Sequence, residues 1–204
     1  MSLAESDLPD LSPSPPRAGA LSVLHMDESV VVIDKPAGML SVPGRGPGHA
    51  PSAICLAQAQ WPDALTVHRL DMATSGLLLI ARGPQAQRRL SAQFADRTVV
   101  KHYEALVTGV IDADSGEIDL PLGADWPNRP RQQVDRLDGK PSLTRFRVLA
   151  RDLSREQTRL ELQPVTGRSH QLRVHLMAIG HPIVGDVLYG PMASDAIGTH
   201  VVLN

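Results

Sequence analysis

Residues 67–81 read VHRLDMATSGLLLIA. The second half, Gly76-Leu-Leu-Leu-Ile-Ala-Arg82, is an apolar run bounded by glycines, and such a run reads as a strand buried on both faces. Directly before it come a basic pair, His68-Arg69, then Asp71, then a Thr-Ser-Gly turn. A carboxylate on a loop that feeds a buried strand has two readings. It caps a turn by accepting backbone N–H bonds near Thr74 and Ser75, or it does chemistry from a rigid anchor.

Outward from this strand the chain alternates between helical and extended patterns. SVVVIDKP at 29–36 is a β-branched run ended by Pro36, hence a strand. GMLSVPGRGPGHAP at 38–51 is a Gly/Pro loop, and SAICLAQAQW at 52–61 has helical composition with Ser52 as a candidate N-cap. PQAQRRLSAQFADR at 84–97 predicts a helix entered at Pro84, with Leu90 and Phe94 on one face. Strands are expected in 99–109, 143–152 and 158–165. The segment 170–182 predicts a helix with Leu172, Leu176 and Ile179 on one stripe, stopped by Gly180 and Pro182. There is no regular βαβ rhythm and no internal repeat. The expected fold class is α+β: one domain with a mixed, largely antiparallel sheet flanked by helices and loops.

The totals agree. The chain has 204 residues, 42% of them hydrophobic but only 3% aromatic, so the core is aliphatic. A single cysteine, Cys55, allows no internal disulfide and no Cys-rich zinc site. The first 20 residues are acidic and Pro-rich, unlike a signal peptide, and are expected to be a disordered tail. No run reaches the ~20 apolar residues of a membrane span, and the cytoplasm is the simplest compartment. The net charge is −2, yet residues 122–173 carry eleven Arg and Lys against six acids. That excess fits either a surface that steers a polyanion or a solvated sheet face.

Three chemistries compete for Asp71 and its surroundings. GRGPGH at 44–49 lacks the Gly-Lys-Ser/Thr ending of a phosphate loop and reads as a flexible loop. The histidines lack H-E-x-x-H spacing, and His170 and His175 on a helix point about 140° apart, so no metal site is expected. A glycosidase needs a second carboxylate across the scissile bond; none lies in the Asp71 motif, although Asp34 could approach through the fold.

Four segments taken together carry more than any one. HRLDMATSG at 68–76, KPAGMLSVPG at 35–44, KHYEALVTG at 101–109 and LQPVTGRSHQLRVHLMAIGHPIVGDVLYG at 162–190 resemble, in order and spacing, the motifs of the RluA family of pseudouridine synthases. The likeness spans about residues 21–190. DWPNRPRQ at 125–132 and GKPSLT at 139–144 narrow it to one branch of that family.

The resemblance implies a pseudouridine-synthase-like catalytic domain over 21–204 that isomerises uridine in RNA, without cofactor or metal. The reaction breaks the N1–C1′ bond, rotates the base and joins C5 to C1′. Asp71 matches the family's essential aspartate, Tyr103 its active-site tyrosine and Arg173 the basic residue paired with the acid. A guanidinium suits the last role because it stays charged and grips a carboxylate through two parallel bonds. The tyrosine ring can stack on the uracil, and its hydroxyl can accept a proton from C5. Reaching C1′ requires flipping the nucleotide out of its stack. Arg69 is expected to fill the gap, Arg168 and His170 to contact phosphates, and Arg129 and Arg131 to grip the RNA stem. The implied partners are stem-loops of 23S ribosomal RNA and of the tRNA anticodon, met by a monomer with no membrane association. Two alternatives stay open: an RNA-binding homologue with weak turnover, and a glycoside-type hydrolase. The likeness fades after about Pro191, where the family's closing strand is expected to be missing, through truncation or divergence.

Overall fold

The computed structural model describes residues 21–44, 51–190 and the strand Val202–Leu203. The expected tail at 1–20, most of the Gly-rich loop at 44–49 and the segment around His200 lie outside the described residues.

Two antiparallel sheets build the molecule. The first has the order β1-β2-β4-β3, from Ser22–Met26, Val30–Lys35, Gly76–Arg82 and Ala64–Thr66. The expected buried strand is β4, and it lies central in this sheet, between β2 and β3. Alternation sets its partner: Val31, Ile33 and Lys35 of β2 point inward opposite Ile80, Leu78 and Gly76 of β4. Helix α1, Ala53–Gln60, lays Ala53, Ile54 and Ala57 onto that core. Ser52 occupies the N-cap position, but its side chain makes no cap bond; its hydroxyl turns to Cys55 Sγ instead, at 3.3 Å.

The second sheet has the order β11-β5-β10-β9-β6, from Val202–Leu203, Tyr103–Thr108, Gln157–Pro164, Leu143–Asp152 and Ser115–Asp119. Strand β10 alternates strictly, burying Thr158, Leu160, Leu162 and Pro164. Leu160 and Leu162 join Leu176 of α3, Gln171–Ala178, in a second aliphatic core. Each Leu or Ile buried in this way contributes roughly 1.5–3 kcal/mol. A small hairpin, β7 (Leu122–Ala124) with β8 (Gln132–Val134), stands beside α3. Helix α2, Gly83–Ala95, runs on the surface with no fully buried residue.

One expectation needs correction. The closing strand is not missing: Val202 and Leu203 pair with Glu104 and Tyr103 as β11. The last helix ends at Ala178, and Gly180 at φ +87° supplies the expected stop. Every strand pair among the described residues is antiparallel, which sharpens the expectation of a mixed sheet.

The two sheets approach each other at Tyr103. This first residue of β5 packs against both cores, so the seam between them is where a cleft can open.

Candidate active site

A cleft of about 480 Å³ opens along this seam. One wall is the loop between β3 and β4 that carries His68 to Thr74; the other is the loop from β10 into α3. Tyr103 lines it too, and Phe94 and Arg97 at the end of α2 form part of its rim.

The Asp71 loop is fixed on both sides of the acid. Ser41 Oγ accepts from the Leu70 N–H at 3.0 Å and donates to the Leu70 carbonyl at 2.8 Å. The Met72 carbonyl receives the Gly38 N–H at 2.7 Å. Lys35, fully buried, donates its ammonium to the carbonyls of Pro36 (2.9 Å), Met39 (2.8 Å) and Met72 (3.4 Å). Burial lowers the Lys35 pKa to about 8, with Asp71 and Asp34 working against the fall.

The turn itself is closed by backbone: the Asp71 carbonyl accepts the Thr74 N–H at 3.1 Å. The Thr74 N–H thus goes to the backbone carbonyl of Asp71 rather than to its carboxylate. Among the described residues the Asp71 carboxylate is approached by two groups, Arg173 Nη1 at 3.7 Å and His170 Nε2 at 4.0 Å. It is therefore the backbone that holds the turn, and the side chain is left to face the cleft.

Arg173 does reach Asp71, but through one nitrogen only. The two parallel bonds expected there go to Asp186 instead: Nε to Oδ2 and Nη2 to Oδ1, both 2.7 Å. Asp186 also accepts the N–H groups of Leu188 and Tyr189, which sets it as a buried anchor. Burial would raise the Asp186 pKa, yet these bonds, Arg173 foremost, hold it below the usual carboxylate value. Burial likewise opposes the charge on Arg173, and the bonds and charge of Asp186 more than reverse this, so its pKa is raised. A guanidinium locked to one carboxylate thus presents its free edge to another.

A second buried network positions the helix that carries Arg173. Gln171 Oε1 accepts from Thr166 Oγ1 (2.7 Å) and from the Arg168 N–H (3.0 Å), while its Nε2 donates to the Leu143 carbonyl and to Thr144 Oγ1. Thr144 Oγ1 lies 2.9 Å from His175 Nδ1, and His175 Nε2 lies 3.0 Å from the Leu120 carbonyl. With Nε2 donating and Nδ1 accepting, each side-chain polar atom of Gln171, Thr144 and His175 in this network finds a partner.

Tyr103 and His68 complete the interior. Burial raises the Tyr103 phenol to about 12, helped by the negative charge of Asp71, so it keeps its proton at neutral pH. His68 stacks on Phe94, centroids 4.6 Å apart, and its Nε2 accepts the Leu79 N–H at 3.0 Å. Burial, with Lys101 nearby, lowers its pKa to about 4.

The remaining sequence-derived residues divide. Arg69, Arg168 and His170 line the cleft with Asp71, Tyr103 and Arg173. Arg129 and Arg131 do not. Arg129 lies 3.6 Å above the exposed Trp126 ring, and Arg131 sits 5.3 Å from the centre of the Tyr189 ring. Lys35, Arg97, Lys101, Asp186 and Tyr189 were not picked out by sequence reasoning, although Lys35, Lys101, Asp186 and Tyr189 stand inside the quoted motifs. The charge excess of 122–173 also resolves. Arg145, Arg147, Arg151 and Arg159 pair with Glu117, Glu161, Asp114 and Glu104, so much of it is a neutralised sheet face. Among the described residues Asp71 is the only acid lining the cleft, and no cluster of three or more His, Cys, Asp or Glu is placed to hold a metal.

An isolated carboxylate ringed by cations is what comparison with known proteins would have to explain. The profile of the RNA pseudouridylate synthase family matches residues 29–178, a span that holds both walls of the cleft. The chain is 46% identical over 194 residues to the dual-specificity RNA pseudouridine synthase RluA of Pasteurella multocida (strain Pm70), covering 95% of this chain and 88% of that relative. It is 44% identical over 192 residues to the RluA of Escherichia coli (strain K12), covering 94% and 87%. Among solved structures, Human RNA Pseudouridylate Synthase Domain Containing 1 superposes with a TM-score of 0.80 at 27% identity, over 94% of this chain and 79% of that one. The matched span includes Asp71, Tyr103 and Arg173 together, and the chain accordingly belongs to the RNA pseudouridylate synthase family, as a synthase of the RluA type that isomerises uridine in RNA.

Proposed function

We propose that this synthase acts on stem-loop uridines of 23S ribosomal RNA and of the tRNA anticodon loop, with Asp71 as its essential acid. The observation that carries the reading is the lone Asp71 carboxylate, 3.7 Å from the Arg173 guanidinium, in a cleft whose other charged lining residues are the cations Arg69, Arg97, Lys101, Arg168 and Arg173. The dual-specificity names of its RluA relatives support the pair of RNA targets. One pocket serves two RNAs if it reads loop shape and a splayed base rather than a long sequence.

The residues divide the work as follows. Arg69, exposed at the cleft mouth, enters the stack where the uridine leaves, offsetting an unstacking cost of roughly a few kcal/mol. Arg168 holds a flanking phosphate, while His170 faces Asp71 across 4.0 Å. Asp71 acts at the ribose and base, with the Arg173 Nη1 edge facing it at 3.7 Å. Tyr103, a neutral phenol, stacks on the uracil. Arg129 on Trp126, and Arg131, grip the stem outside the cleft. The enzyme works as a monomer in the cytoplasm, where both RNAs are made.

A two-carboxylate hydrolase is disfavoured because Asp34 is exposed on β2 and does not line the cleft, while Asp186 is consumed by Arg173. The test is incubation with total RNA from cells lacking this activity, followed by site-resolved pseudouridine mapping. New pseudouridine in a large-subunit hairpin loop and in tRNA anticodon loops is the expected result. Modification of other uridines only would overturn the assignment of targets, and release of free uracil would favour the hydrolase.

A further inference from the structure

Tyr189 belongs to no role derived so far, yet four residues from inside and outside the cleft meet on it. It is buried, 4% exposed, in the segment after α3. Its hydroxyl lies 2.7 Å from the Gln132 backbone nitrogen on β8 and 2.6 Å from His170 Nδ1. The Arg173 and Arg131 guanidiniums stand 5.0 and 5.3 Å from the centre of its ring, and the His170 ring meets it edge-on.

The protons at this hydroxyl can be assigned. The Gln132 N–H can only donate, so the phenol oxygen accepts there. The phenol then has one hydrogen to give, and His170 Nδ1 is the acceptor within reach among the described residues. With Nδ1 accepting, the neutral imidazole carries its hydrogen on Nε2, the nitrogen 4.0 Å from Asp71 Oδ2. That distance is electrostatic contact rather than a hydrogen bond. The opposite tautomer would turn a lone pair toward the carboxylate. His170 is also one of only three non-glycine residues with positive φ among the described residues, at φ +53° and ψ +20° ahead of α3. Such a conformation persists where its surroundings hold it, and it gathers at functional sites.

We propose that Tyr189 is a positioning residue: its hydroxyl, seated on the Gln132 amide, holds His170 in the tautomer and orientation that aim Nε2–H at the Asp71 carboxylate. The same hydroxyl joins the hairpin bearing Arg129 and Arg131 to the reacting acid, so RNA seated on the hairpin and the acid in the cleft share one contact. The inference rests on Asp71 being the essential acid.

The test has a spectroscopic and a kinetic arm, both on the full chain. In protein labelled with 15N-histidine, signals of His170 are identified by their loss in His170→Gln. Nδ1 is expected to appear as a bare acceptor nitrogen and Nε2 as an N–H, with Tyr189→Phe mixing the two tautomers. In single-turnover assays on a substrate stem-loop, Tyr189→Phe is expected to slow the reaction about tenfold, the order of one lost hydrogen bond, while RNA affinity stays within about twofold. In the His170→Gln background the same change is expected to cost nothing further, since the two residues act as a unit. Loss of the Gln132 contact alone would act equally in both backgrounds. A proton on Nδ1 in the wild type, a Tyr189→Phe rate equal to wild type, or costs that multiply across the two variants would each overturn the proposal. Full turnover by Asp71→Asn would instead defeat the Asp71 reading and leave the tautomer result standing.

Discussion

The arginines of the β9–β10 face and those of the cleft are the same residue type in two electrostatic settings. On the sheet, Arg145, Arg147 and Arg159 each meet a glutamate on a neighbouring strand, Arg145 and Glu117 at 2.8 Å. In the cleft, Arg69, Arg97, Lys101 and Arg168 have no carboxylate partner among the described residues; Arg168 reaches only the Pro141 carbonyl. Counting charge along the chain merges the two sets. Partnering separates them, because a matched guanidinium has little field left for a phosphate, whereas an unmatched one retains it. Arg173 is the one member that does both, matched to Asp186 and still facing Asp71.

That dual position predicts the largest effect. Arg173→Met removes the cation from a buried pair and leaves Asp186 uncompensated, a loss of about 3–5 kcal/mol. Thermal or urea unfolding checks this. A variant as stable as wild type would mean that Asp186 finds another partner and that the pair is not the anchor described.

Next in size is the acid limb of stability. His68 is held neutral in the fold, with its pKa lowered to about 4, and in the unfolded chain it returns to about 6.5. The unfolded state therefore takes up a proton first as pH falls. Stability is full above about pH 6.5 and declines toward pH 4 by about 3 kcal/mol from this residue. Burial lowers His170 and His175 in the same direction, so they add to the decline. Urea midpoints across this range check it, and a flat profile would contradict it.

The cleft and the sheet face are then compared directly, and this is the smallest effect on stability. Lys101→Gln and Arg168→Gln are each expected to reduce the salt slope of RNA binding by about 1. Arg145→Gln on the sheet is expected to leave RNA binding unchanged and to cost no more than about 1 kcal/mol of stability. Equal losses of affinity at Lys101 and Arg145 would erase the distinction between the two regions.

How far this was legible in the sequence follows from range. Periodicity located Gly76–Arg82 and Leu143–Asp152 to the residue, because long strands with one or two buried faces write their pattern locally. The edge strand Ser22–Met26, exposed throughout, leaves no such pattern, nor do three-residue strands such as Leu122–Ala124. In the site, Asp71, Tyr103 and Arg173 come together as their motifs implied. The fork on Arg173 was assigned to the wrong carboxylate because Asp186 is held by its own turn, thirteen residues on, where spacing alone gives no sign of a partner. Tyr189 stayed hidden for a similar reason: its partners Gln132 and His170 lie 57 and 19 residues away.

The central claim is that the free Asp71 carboxylate performs the isomerisation while the surrounding cations bind the RNA. Asp71→Asn keeps the shape and removes the charge, and single-turnover pseudouridine formation measured beside RNA affinity separates the two functions. Loss of turnover by about 10⁴-fold or more, with affinity within about threefold of wild type, is the predicted result. Turnover retained by the asparagine variant would contradict the account.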